Sequence, residues 1–406
     1  MTFRIALSGL NAASADLGVT ANNIANANTT GFKGSRAQFA DFFPVSSYGL
    51  ADNAIGGGVK LQKVAQQFSQ GSVNFTNNNL DLAISGEGFF TLSDAGSTVY
   101  SRAGAFGTDR NGYVVNASGQ RLQVYPAVAG GTAFDTAQLS DLQLSTSDNP
   151  PSATSRIDTG INLPANASAP ATATFNANDP TSYNHTTSVT VYDSLGAPHT
   201  ANLYFVKGAA ANEWQLNLQI DGVSAGPATA LTYSDSGQLL TPAGGNIALP
   251  AVNTTTGSAP MNLTLALNGS TQYGERFSVN SLKQDGYATG RITGIEVTDE
   301  GIVQARYTNG QATPLGQVAL ANFANPQGLQ QLGDSTWGET FSSGAVIRGQ
   351  AGTTSFGQIQ SGALEASNVD LTEQLVNMIT AQRNFQANSQ MISTSDQITQ
   401  TIINIR

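Results

Sequence analysis

The chain has 406 residues, of which 40% are hydrophobic and only 11% charged, with a net charge of −10, two histidines and no cysteine. That length holds two or three domains. The acidic balance excludes nucleic-acid binding, which needs clustered Lys and Arg, and the missing cysteine excludes disulfides and thiolate metal sites. The charged share lies far below the usual value of roughly 25%, so the surface has to be built from Ser, Thr, Asn, Gln and Gly, which repels its own copies weakly.

Residues 2 to about 30 read as a helix. Phe3, Leu10, Leu17 and Ile24 repeat every seven residues, with Leu7 and Ala21 half a heptad away. Heptad spacing gives a narrow apolar seam that needs a partner helix. The second half, with Asn22, Asn23, Asn26, Asn28, Thr29 and Thr30, is a poor helix former, and Gly31 is a natural stop. The apolar positions of Met1 to Ser14 are periodic rather than continuous, so a cleaved secretory signal is not expected. No run approaches the roughly 20 apolar residues that span a bilayer, so no membrane insertion is expected.

From about residue 73 the pattern turns to short strands. Leu80, Leu82 and Ile84 alternate, Phe89 and Phe90 follow a Gly86-Glu87-Gly88 turn, and Asn111-Gly112 precedes Tyr113-Val114-Val115 as a hairpin signal. Asn149-Pro150-Pro151 marks a boundary. Residues 147–284 read as an all-β insert, with strands at Val189 to Tyr192, Leu203 to Val206, Trp214 to Ile220 and Met261 to Leu267, in a sandwich or barrel. Strands resume at Ile292 to Val297, Ile302 to Tyr307 and Val318 to Phe323.

A second heptad stripe, expected on a helix from about residue 360, runs through Leu364, Leu371, Met378, Phe385 and Ile392, with Leu375, Ile398 and Ile402 beside it. The expected fold is therefore mixed and mainly β, and nested. Residues 1–72 with 360–406 form a helical domain, 73–146 with 285–359 a discontinuous inner β domain, and 147–284 a continuous outer sandwich or barrel. Stripes confined to both extreme ends favour packing between subunits, although two helices inside one core give the same periodicity.

No catalytic, cofactor or metal constellation emerges. Gly86-Glu87-Gly88 lacks the third glycine and following helix of a dinucleotide loop, and Gly56-Gly57-Gly58-Val59-Lys60 lacks the P-loop order. Asp81 and Glu87 read as turn residues, and His185 and His199 as surface or hydrogen-bonded histidines.

The stretch Ala21 to Arg36, ANNIANANTTGFKGSR, is similar to the N-terminal signature of the bacterial flagellar rod, hook and hook-associated axial proteins, through Asn22, Asn23, Ile24, Ala25, Asn26, Thr30, Gly31, Phe32 and Lys33. Leu364 to Met391 resembles the matching C-terminal signature, through Asn368, Val369, Asp370, Gln382 and Arg383. DLAISGEGFF (Asp81 to Phe90) and ANFANPQGL (Ala321 to Leu329) resemble the family's inner β domain. The size of the insert resembles the hook type, and residues about 44 to 58 resemble a linker of the distal rod.

The resemblance implies a non-enzymatic structural subunit without a cofactor. It would polymerise with copies of itself into a flexible, curved helical tube outside the cell, a universal joint passing motor torque from rod to filament. The implied partners are the distal rod protein, the hook cap, the hook–filament junction protein, the flagellar type III export apparatus and the hook-length ruler. Phe39 and Phe43 fit a spaced-aromatic export motif and equally fit core aromatics. Two other readings remain: a distal rod protein, and an extracellular glycan-binding β protein with a platform of Trp214, Tyr204 and Tyr233.

Overall fold

A computed structural model describes residues 2–42, 56–128, 133–144 and 147–404, with only the backbone of Thr2 and Ile402. Phe43 and most of the 44–58 segment lie outside the described residues. The chain forms two compact units. One comprises Met1–Thr146, Gly294–Arg306 and Ala312–Arg406, and the other Ser147–Thr293 and Tyr307–Gln311.

In the first unit, helix α1 spans Thr2–Ala25 and helix α2 spans Leu371–Asn404, and they pack on each other. α1 ends five residues short of the expected limit. The Asn26 side chain donates to the Asn22 carbonyl and to Asn22 Oδ1, and side chain–backbone bonds of this kind compete with the helical ladder. α2 begins at an N-cap: Asp370 Oδ1 accepts from the Thr372 and Glu373 amides at 2.7 and 3.2 Å, satisfying donors that the first turn leaves free. Leu364, expected on this helix, instead lies in the strand Ala363–Glu365, paired with Val73–Phe75. Alternation explains the difference: Ala363 and Glu365 face inward while Leu364 is half-buried, a period of two rather than 3.6.

Strand β1 (Ser35–Asp41) and strand β2 (Val59–Gln66) form an antiparallel ribbon along α1. Its far end is close to α1, since a Cβ on Gly58 would lie 2.2 Å from Ser8 Oγ. The body of the unit is a sheet whose main path runs Ile292–Val297, Ile302–Tyr307, Ala312–Asn322, Arg121–Pro126, Phe89–Asp94, Ser97–Ser101, Thr336–Gly338 and Gln330–Gly333. Ala312–Asn322 pairs with both Arg121–Pro126 and Phe89–Asp94. Chain from either side of the insert therefore builds one core, with Leu82, Ile84, Phe90, Leu92, Leu122, Val124, Val318, Leu320 and Ile359 in one cluster. A second cluster gathers Phe89, Tyr100, Phe323 and Trp337, with Phe68 against it.

The second unit is a sandwich, two sheets sharing one apolar core. One sheet contains Asn246–Ala248, Thr264–Ala266, Arg156–Pro164, Thr271–Tyr273 and Ser278–Gln284. The other contains His185–Tyr192, Pro198–Lys207, Glu213–Ile220, Thr229–Tyr233 and Leu239–Thr241, with Val223–Ser224 beside Glu213–Ile220. Met261–Leu267 contributes a strand only over Thr264–Ala266, although Met261, Leu263, Leu265 and Leu267 are all buried.

Candidate assembly surface at the joined chain ends

Helix α2 touches the rest of the chain along one narrow line. Its least exposed residues are Gln374, Met378, Ala381, Asn388, Ile392 and Ser395, with Phe385 filling the gap at 37% exposure. The steps alternate four and three, which is the geometry of a coiled-coil seam. On α1 the buried positions are Ala6, Ala13, Thr20 and Asn23, with Gly9 and Asp16 half-buried between them. Small residues allow close approach: a Cβ on Gly9 would lie 2.4 Å from Asn388 Oδ1, and Asn23 donates to Gln374 Oε1 at 3.1 Å.

The expected stripe on α1 flanks this seam. Leu10, Leu17 and Ile24 are half-buried, while Phe3, Leu7 and Ala21 are exposed. On α2, Met378, Phe385 and Ile392 belong to the seam, whereas Leu371, Leu375 and Ile398 are exposed together with Val376, Ile379, Met391 and Ile403. The side chain of Ile402 lies outside the described residues. α2 thus carries an apolar seam covered by the chain itself and further exposed apolar residues spread around the rest of the helix. The repeat Ala6, Ala13, Thr20 was present in the sequence as a signal for the covered seam, but small residues do not stand out as hydrophobic.

The signature residues lie where the two ends meet. Asn23 Oδ1 accepts from the Ser35 amide at 2.8 Å, and its Nδ2 donates to the Ser35 carbonyl at 2.7 Å. Asn368 Oδ1 accepts from the Gly34 amide at 2.8 Å, and its Nδ2 donates to the Gln67 and Ser69 carbonyls. Lys33 Nζ, fully buried, reaches Glu365 Oε1 at 2.6 Å and the Ser69 carbonyl at 2.7 Å. Arg102 Nη1 reaches Glu365 Oε2 at 3.2 Å. Phe32 is buried and Thr30 and Val369 are half-buried, while Asn22, Ala25, Gln382 and Arg383 are exposed. Neither Glu365 nor Arg102 is apparent from local sequence, because their partners are 263 to 332 residues away.

Burial pushes the Lys33 ammonium below the ordinary lysine pKa, against the pull of Glu365. Burial likewise lowers Arg102, again opposed by Glu365. Nearby, a polar cavity of about 500 Å³ is lined by Asp16, Thr20, Arg36, Phe39, Gln374 and Thr380. Burial there raises the Asp16 carboxyl, and Arg36 opposes the rise. On the ribbon, Phe39 is exposed opposite Leu61.

Several residues weighed for chemistry have structural partners instead. Asp81 accepts from Thr76 Oγ1 at 2.7 Å and Asn78 Nδ2 at 3.0 Å, and Gly86 and Gly88 flank Glu87 with φ of 117° and 120°. In the second unit His185 stacks on Phe277 at 4.5 Å, and His199 sits between Asp221 and Asp193. The glycan platform does not form: Trp214 and Tyr233 are buried in the sandwich core, and Tyr204 packs on Phe175 and Tyr183. Strand alternation, which places every second residue in the core, turns Trp214 and Tyr233 inward and leaves Tyr204 half-buried on the opposite face. No described helix is long and apolar enough to cross a membrane.

Comparison with known proteins bears on the whole length. Family models match residues 3–33 (Flagella basal body rod protein), 83–177 (Flagellar hook protein FlgE/F/G D1 domain), 162–287 (Flagellar basal body protein FlaE D2 domain) and 360–405 (Flagellar basal body rod FlgEFG protein C-terminal). The chain is 41% identical to the flagellar hook protein FlgE of Escherichia coli (strain K12), over 100% of both chains. It is 34% identical to FlgE of Rhizobium meliloti (strain 1021), over 100% of this chain and 98% of that one. The crystal structure of Helicobacter pylori flagellar hook protein FlgE2 has a similar fold, with a TM-score of 0.55 and 14% identity, covering 72% of this chain and 100% of that one.

Proposed function

The chain belongs to the flagellar hook protein FlgE family, and from that premise we propose that it polymerises through its joined ends into a curved helical tube that passes motor torque from rod to filament. The observation that supports this mode of assembly is the set of exposed apolar side chains that α2 carries outside its seam, Leu375, Val376, Ile379, Met391 and Ile398. A soluble chain leaves so much apolar helix surface exposed where another surface covers it. Head-to-tail contacts that do not close generate a helical tube, and neighbouring helices then supply the stability that an isolated helix lacks.

The same reading divides the chain by task. Residues 1–72 with 360–406 form the inner tube, 73–146 with 285–359 a middle β layer, and 147–284 the outer domain. The outer domain has only four basic residues, Arg156, Lys207, Arg276 and Lys283. Few ion pairs then lock neighbouring copies in one register, so the outer domains slide as the tube bends. The subunit leaves the cell through the flagellar type III export apparatus, which suits a chain without cysteine, and Phe39 and Phe43 are offered as the export motif. The distal rod, hook cap, hook–filament junction and length-ruler proteins are its neighbours in assembly.

Negative-stain electron microscopy tests this reading. The full chain should form curved tubes, and a form lacking 1–72 and 360–406 should form none. Removing 147–284 should leave tubes that are straight. Polymers from the end-deleted form would overturn the assembly role of the helices, and supercoiled tubes from the insert-deleted form would overturn the division of labour.

A further inference from the structure

We propose that Glu365 is the positioning residue of the assembly surface: its buried carboxylate ties the chain leaving α1 and the chain leading into α2 to the β body, and it does so only once the C-terminal segment is in place. The inference rests on the assembly reading for its purpose and on the geometry of the joint for its content. Three segments converge on this residue. The Gly31 amide, following α1, donates to the Glu365 carbonyl at 2.8 Å. The Gly71 amide, following the ribbon, donates to Glu365 Oε1 at 2.9 Å, and Lys33 Nζ reaches the same oxygen. Arg102, from the β body, takes Oε2, and its Nη2 donates to the Gly86 carbonyl at 2.7 Å.

The joint has no slack. Gly31 has φ of 68°, and a Cβ there would lie 2.4 Å from the Ala103 amide nitrogen. A Cβ on Gly71 would lie 2.0 Å from the Ala366 carbonyl oxygen. Glu365 and Lys33 have no exposed side-chain surface, and Arg102 has 5%. One carboxylate therefore serves two buried cations. Without it Lys33 loses its counter-charge in a place water does not reach and Arg102 keeps only the attraction of Glu87, which opens the local structure rather than weakening it slightly. Lys33 and Arg102 precede Glu365 by 332 and 263 residues, so a chain still missing its last forty or so residues cannot close the joint.

The test is amide hydrogen exchange on the full chain kept dilute as a monomer, which reads the joint without polymer. In Glu365→Gln the Gly31, Gly34 and Gly71 amides should exchange at least a hundredfold faster, while Leu320 and Ala321 in the β body stay within threefold of the parent. Removing all three charges in Lys33→Met/Arg102→Met/Glu365→Leu should return the joint amides to within tenfold. Unchanged joint amides in Glu365→Gln would overturn the proposal. An equal rise at Leu320 and Ala321 would do so by making the cluster a fold-wide stabiliser, and a triple variant as open as the single one would show that unpaired charge is not the cause. If exchange behaves as expected and the parent chain forms no tubes under any condition, the assembly reading fails and the joint stands.

Discussion

Gly9 of α1 faces Asn388 of α2 so closely that an added Cβ would lie 2.4 Å from the Asn388 side-chain oxygen. Glycine inside a helix costs about 1 kcal/mol relative to alanine, and the tight contact explains its presence. Gly9→Ala should be tolerated, because the Asn388 side chain can swing aside and the helix propensity gained offsets its lost packing. Gly9→Leu should separate the helices. Amide exchange across 2–25 and 371–404 should rise at least tenfold in the leucine variant and less than threefold in the alanine one.

The exposed apolar residues of α2 predict a split between folding and assembly. Val376 is 58% exposed and Ile398 55% exposed. Replacing either by Asn should leave monomer stability within about 0.5 kcal/mol, as for other exposed sites. The concentration needed for tube formation should rise at least tenfold, equivalent to about 1.4 kcal/mol. Sedimentation of polymer against total concentration measures it, and an unchanged threshold would remove these residues from the interface.

The aromatic cluster of the first unit predicts a local loss. Phe323 is 4% exposed and lies 4.8 Å from Tyr100 and 6.0 Å from Phe89, ring centre to ring centre. Phe323→Ala should cost about 3–5 kcal/mol, the usual range for truncating a buried aromatic. The two tryptophans report separately, Trp337 from this cluster and Trp214 from the sandwich core. Urea unfolding followed at Trp337 should shift in midpoint, and the Trp214 signal should not.

The histidine between two carboxylates predicts a stability window for the second unit. Burial disfavours protonated His199, and its bonds to Asp221 at 2.5 Å and Asp193 at 3.3 Å outweigh that, so its pKa is raised. Burial also disfavours the Asp193 carboxylate, but donors from Thr256, Ala197, Leu195 and His199 hold it well below the usual carboxylate range. His199 and the Thr200 amide hold Asp221 low as well. A raised histidine stabilises fully below its unfolded pKa and ceases to as pH rises through the folded one. Depressed carboxylates stabilise above their unfolded pKa, and the gain disappears as pH falls. The contribution of this cluster should therefore be greatest between about pH 4 and about pH 6.5, while burial lowers His185 and makes its own contribution fall as pH drops below the ordinary histidine pKa, the sum being read as the thermal midpoint of Trp214 emission. His199→Gln should flatten the alkaline limb, and an alkaline limb of unchanged slope would exclude His199 as its source.

Local patterns carried far in this chain. The strand readings at Leu203 to Val206 and Trp214 to Ile220 fall inside the longer strands Pro198–Lys207 and Glu213–Ile220, and heptad spacing found both helices, because those signals depend only on neighbours in sequence. The same rules placed Leu364 on a helix, since a residue seven before Leu371 fits a stripe. Pairing of Ala363–Glu365 with Val73–Phe75 decided otherwise. Trp214 and Tyr233 looked available to a ligand until the sandwich closed over them.

The order of elements, the sparse charge and an apolar stripe at each end were legible without the fold, because composition and periodicity are properties of short windows. The sequence also marked Asn23, Lys33 and Asn368 as signature residues without saying what they do. The tertiary contacts set Ala6, Ala13 and Thr20 of α1 against Met378, Phe385 and Ile392 of α2 and left Phe3, Leu7, Val376 and Ile398 exposed. Only the tertiary structure brought Lys33 and Arg102 to Glu365. Contacts between residues hundreds of positions apart leave no periodic trace, and a buried ion pair exists only where the fold removes water from both partners at once.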